Sequence, residues 1–115
     1  MKILFDHGTP RSIARSLAGH DVTRAAQMGW HELGNGVLIQ NAEEAGFDLF
    51  LRTDQNIRYQ QNLTNRKIAI VVLTDQQWPN ARLHLEKISA AVNAATPGSF
   101  AEVEIPLAPK KPYKA

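Results

Sequence analysis

The chain has 115 residues, 43% hydrophobic and 21% charged, which fits one soluble globular domain with a single core. It has no cysteine, so disulfides, thiolate metal sites and cysteine nucleophiles are excluded. The formal charge of +2 tolerates a nucleic-acid partner without pointing to one, and the longest apolar run, Ile68 to Leu73, is far short of a membrane span. The N-terminus starts directly on a strand-like run with no signal-peptide pattern, so a cytoplasmic location is expected.

Residues 2–6 read as a first strand, closed by Asp6 and followed by His7. Gly8 and Pro10 mark a turn, with Pro10 suited to a first helical turn. Ile13, Ala14 and Leu17 give the next helix its apolar face, and Gly19-His20 ends it. Residues 21–24 form a short, weak strand. Ala25 to Met28 make one helical turn, and Trp30 is expected in the core. Gly34-Asn35-Gly36 signals a turn before a helix that buries Leu38, Ile39, Ala42 and Ala45, and Gly46 closes it.

The third strand, 48–52, carries the apolar run Leu49-Phe50-Leu51 and then turns sharply polar at Thr53, Asp54 and Asn56. Ile57 to Leu63 reads as a short helix or loop rich in amides. Strand four, 67–73, is a continuous apolar run and belongs at the sheet centre, buried on both faces. From Pro79 to about Ala95, residues Ala81, Leu85, Ile88, Val92 and Ala95 repeat at three-four spacing and predict one long amphipathic helix. Phe100 to Ile105 alternates, with Glu102 and Glu104 on a wet face, as an edge strand should. Residues 107–115, proline-rich with Lys110, Lys111 and Lys114, are expected to be disordered.

Strands alternating with helices predict an α/β fold, a three-layer α/β/α sandwich with a mainly parallel sheet. A strand order of 2-1-3-4-5 makes strands one and three neighbours at the point where the order reverses, where open α/β sheets bind ligands. Asp6 and Asp54 would then end side by side. Two readings stand for them. Both carboxylates can cap helices, or together they suit Mg²⁺ or Mn²⁺, which take oxygen ligands and can generate a hydroxide nucleophile at a phosphodiester. Arg52, Arg58 and Arg66 with Tyr59 either line a phosphate-binding surface, or the arginines form a solvated face with Tyr59 in the core. His20, His31 and His84 show no zinc spacing.

Asp6 together with the segments GHDV, MGW, NGVL, AEEAGFD, TDQNIRYQQNL and PGSFAEVEIP resembles a branch of the PIN-like domain proteins. These are the short, VapC-related, toxin-like chains often encoded beside a small DNA-binding antitoxin. The likeness runs from residue 1 to about 106. It implies a PIN-like fold and Mg²⁺- or Mn²⁺-dependent endoribonuclease activity, with Asp6 and Asp54 as the catalytic and metal-binding acids. Asn35 and Asn56 lie beside them by the same resemblance, and His7 and Arg58 are further candidates for substrate contact. RNA, an antitoxin and a second copy of the chain are the expected partners, with no membrane. One position departs from the pattern: Val37 stands where this family usually has a glutamate. Glu44, seven residues along the helix, is roughly 10 Å away and does not replace it. Two other classes are kept beside the nuclease. One is a PIN-fold protein that only binds RNA or an antitoxin. The other is a phosphoacceptor receiver, faintly echoed by Asp6, Asp54, Thr74 and Lys111.

Overall fold

The computed structural model describes residues 1–6, 8–30, 33–53, 67–74 and 78–105, with Asn35 by its backbone alone. His7, Asp54, Asn56 and Arg58 lie outside the described residues, as do the 57–63 segment and the 107–115 tail. Five strands, β1 (Lys2–Phe5), β2 (Asp21–Arg24), β3 (Leu49–Arg52), β4 (Ala69–Leu73) and β5 (Phe100–Val103), form one sheet. Every pairing is parallel and the order is β2-β1-β3-β4-β5, as the sequence predicts.

The strand alternation sorts the core into two layers. Ile3 and Phe5 of β1, Leu49 and Leu51 of β3, and Ala69, Val71 and Leu73 of β4 face one side. They pack there on Ile13 and Leu17, and on Ala81, Ile88 and Val92. Leu4, Phe50, Ile70 and Val72 face the other side and pack on Ala25, Leu38, Ile39, Ala42 and Phe47. Because β1, β3 and β4 are covered on both faces, their runs are apolar throughout rather than alternating. β2 and β5 are the sheet's edges. Glu102 and Glu104 are exposed on β5 and just beyond it, which is the wet face that the alternation predicts.

Helix α1 (Asn35–Glu44) crosses between β2 and β3. Its exit is a Schellman turn: Gly46, at φ +87°, donates to Glu43 O, and Phe47 N donates to Ala42 O at 2.9 Å. Phe47 and Ala42 also share the core layer, the apolar contact that usually accompanies this cap. Trp30 packs edge-on against Phe47, with ring centroids 6.2 Å apart, so it belongs to the core side as expected.

Three details differ from the sequence reading. The first helix is a 3-10 helix, Arg11–Ser16, with Pro10 preceding it as the N-cap. The single helix expected from Pro79 to Ala95 is two: α2 (Trp78–Ala81) and α3 (Leu85–Ala94), joined by a 3-10 turn at Arg82–His84. The apolar stripe survives the break, since Ala81, Ile88 and Val92 are all fully buried. Nothing in the residue types at 82–84 demands it. Strands β1, β3, β4 and β5 are also each one or two residues shorter than expected.

Candidate functional site at the carboxyl edge of the sheet

The chain order β1 to β2, then across β1 to β3, reverses direction between β1 and β3. At this crevice Asp6 leaves β1 and Thr53 leaves β3. Asp6 N still donates to Leu51 O at 3.2 Å, which carries the β1–β3 pairing one residue past the strand. Parity then decides which way the side chains point. Leu4 pairs in register with Phe50, so Asp6 and Arg52, two residues further on each strand, fall on the same α1-facing side.

They meet there. Arg52 Nε lies 3.8 Å from Asp6 Oδ2, an ion pair between side chains only 6% and 9% exposed. The guanidinium carbon sits 5.1 Å from the centroid of the Phe50 ring beneath it. The rest of the Asp6 carboxylate is engaged by the local turn. Thr9 Oγ1 donates to Asp6 Oδ1 and also lies 3.2 Å from Leu51 O, while Thr9 N donates to Asp6 O. Thr53 N donates a long bond, 3.4 Å, to Asp6 Oδ2. Asp6, Thr9 and Arg52 are the buried polar residues among those described, and all three are in this one cluster.

Asp6 is therefore placed as expected, at the strand end, but it is not a bare carboxylate. Arg52 is not a solvent-facing phosphate contact: it is a strand residue, buried at 5% exposure, and serves as the counter-ion of Asp6. The only signals for these features are faint ones. Arg52 has the parity of Phe50, and Thr9 follows Asp6 by three residues in a glycine turn. Asn35 opens α1 on this same side of the sheet, since α1 runs back to deliver its last turn beside Lys2 at the opposite edge. Val37, in the first turn of α1, is 53% exposed. Thr74, at the end of β4, ties β5 down: its hydroxyl accepts from Ile105 N at 2.8 Å.

The resemblance implies a divalent cation at Asp6 and Asp54. Among the described residues, no three His, Cys, Asp or Glu side chains converge. More directly, Arg52 already balances the charge of Asp6, and a second cation at Oδ2 would face the guanidinium. The described residues do not by themselves build a Mg²⁺ or Mn²⁺ site. A cleft of about 590 Å³ lies at the other edge of the sheet, lined by Glu43, Phe47, Asp48, Lys67 and Pro97 among others. It is remote from the Asp6 cluster, and in open parallel sheets the carboxyl edge is where ligands bind.

The chain matches no family model, no curated protein and no solved structure. Among the described residues no helix is long and apolar enough to cross a membrane.

Proposed function

We propose that this chain is a PIN-like domain of the toxin–antitoxin type, directed at RNA through the carboxyl edge of its sheet, with a reduced form of the metal-dependent endoribonuclease centre. Its protein partner in this reading is a small DNA-binding antitoxin. The observation that carries the reading is the Asp6–Arg52 pair. An acid stands at the β1–β3 crevice, where the PIN-like resemblance puts a metal ligand, but a resident cation balances it. The exposed Val37, in place of the family's usual glutamate, supports the same reduction.

A second reading keeps the full Mg²⁺- or Mn²⁺-dependent endoribonuclease, with Asp6 and Asp54 as its acids. The adjacency of β1 and β3 favours it, because Thr53 N lies 3.4 Å from Asp6 Oδ2 and Asp54 is the next residue. Fluorescence anisotropy on single-stranded RNA, with gel assays of cleavage with and without Mn²⁺, separates the two. The reduced reading expects binding that weakens as salt rises, with little cleavage in either buffer. Mn²⁺-dependent cleavage that Asp6→Asn abolishes establishes the second reading instead. Neither binding nor cleavage overturns both.

A further inference from the structure

We infer that Arg52 holds the place of a divalent cation at Asp6, so that this carboxylate is charge-balanced by the chain itself and needs no metal. A carboxylate at the end of β1 is buried, and burial of an uncompensated charge is strongly unfavourable. Something positive has to sit beside it. The strand register puts Arg52 there, with Nε 3.8 Å from Oδ2 and the guanidinium carbon over the Phe50 ring. Phe50 and the strand backbone hold the arginine on the α1 side, where it is always charged and cannot leave as an ion can.

Two donors complete the arrangement. Thr9 Oγ1 takes Oδ1 and Thr53 N reaches Oδ2. Together with the guanidinium they give the carboxylate a fixed set of partners on both oxygens. A metal arriving at this edge gains little from Asp6 and meets a fixed positive charge. Removing that charge while keeping the side chain's bulk should open the site to an ion. A cation response that appears only when Arg52 is lost therefore marks substitution of the metal by the arginine. A merely structural arginine produces no such response.

The test uses the full chain, thermal melts with and without Mn²⁺, and electron paramagnetic resonance of free Mn²⁺ as a direct count of bound ion. In wild type, neither the melt nor the resonance should reveal a site that is lost in the double variant Asp6→Asn/Arg52→Met. That double variant is the proper blank, because it removes both charges of the pair. Arg52→Met alone should melt roughly 10–20 °C lower, bind Mn²⁺, and recover part of the loss when Mn²⁺ is added. Arg52→Lys should stay indifferent to Mn²⁺.

A wild-type site that the double variant lacks overturns the inference. So does a folded Arg52→Met that responds to Mn²⁺ no more than wild type. If Arg52→Met folds in neither buffer, the comparison of wild type with the double variant decides. The inference rests on the same Asp6–Arg52 pair as the proposed function, but it is read by metal binding rather than RNA binding, so the two failures are distinguishable.

Discussion

The two edges of the sheet use the same residue types in opposite ways. At the amino edge the charged side chains serve the backbone. Asp48 Oδ2 accepts from Lys2 N at 2.8 Å, Lys2 Nζ donates to Ala45 O at 2.9 Å, and Glu43 Oε2 accepts from Lys67 N and Ile68 N. These groups splice the end of α1 and the starts of β3 and β4 to β1. Asp48 and Lys67 are exposed, so each needs only an acceptor or donor in the right place, and water supplies what is left. At the carboxyl edge Asp6 and Arg52 are buried and serve each other. There it is the charge itself that must be matched. The amino edge is thus a set of replaceable caps, whereas the carboxyl edge is a coupled unit, and a coupled buried unit is where a folded domain concentrates specificity.

The sharpest way to break this comparison is to neutralise one aspartate at each edge. Asp6→Asn breaks the buried ion pair with Arg52 and should cost about 3–5 kcal/mol. Asp48→Asn keeps an oxygen acceptor for Lys2 N and should stay within about 0.5 kcal/mol of wild type. Urea unfolding of both variants checks this. Equal losses would mean that the Asp6–Arg52 pair is no more demanding than an exposed cap.

A smaller effect is expected inside the carboxyl cluster. Thr9→Val keeps the side chain's shape but removes the hydroxyl that bonds Asp6 Oδ1 and lies beside Leu51 O. Asp6 Oδ1 then loses its hydroxyl donor, at about 1–3 kcal/mol, while Leu51 O keeps the Asp6 N–H. A chevron or urea midpoint indistinguishable from wild type would show that water reaches Asp6, and that the cluster is wetter than its burial implies.

At the amino edge the matching deletion is Asp48→Ala, which removes the acceptor as well as the charge. With water available to Lys2 N, the loss should be about 0.5–1.5 kcal/mol. Hydrogen exchange sharpens the test. The Lys2 amide should lose protection in Asp48→Ala while amides of β4 at the sheet centre keep theirs. Loss of protection across the whole sheet would mean that this edge, too, is a coupled unit.

This contrast also explains how far the sequence could be read. The parallel sheet and its order were legible because β4, and the run Leu49-Phe50-Leu51, are unbroken apolar stretches that only two-sided burial explains. Asp6 at a strand end was legible for the same reason. Arg52 was not, because an arginine after an apolar run looks like the first solvated residue. Only the β1–β3 register turns it into the partner of Asp6. Thr9 was hidden likewise: a threonine in a Gly-Pro turn is ordinary until the turn is known to fold back on the carboxylate. Local pattern announces the elements, while pairs across strands emerge from register. The split of the last helix at Arg82–His84 left no mark on the apolar stripe, since Ala81, Ile88 and Val92 keep their burial across it.

The smallest expected effect bears most directly on the carboxyl edge. Val37 lies in the first turn of α1, is 53% exposed, and that turn has no acidic residue. If the carboxyl edge carried bare, crowded acids, Val37→Glu would add to their repulsion, lower stability without metal and recover it with Mn²⁺. The Asp6–Arg52 pair points the other way. Among the described residues the acid at this edge, Asp6, is already paired with Arg52, so a new carboxylate on an exposed helical turn meets little repulsion from it. It also gains from the free N–H groups and positive end of α1, by about 0.3–1 kcal/mol, and replaces a β-branched residue with a better helix former. Val37→Glu should therefore melt slightly higher than wild type in metal-free buffer, with the gain shrinking as salt is added, and Mn²⁺ should make no further difference. A variant that melts lower and is rescued by Mn²⁺ would place position 37 against an unbalanced acid, and the self-contained ion pair could not then be the whole charge account of this edge.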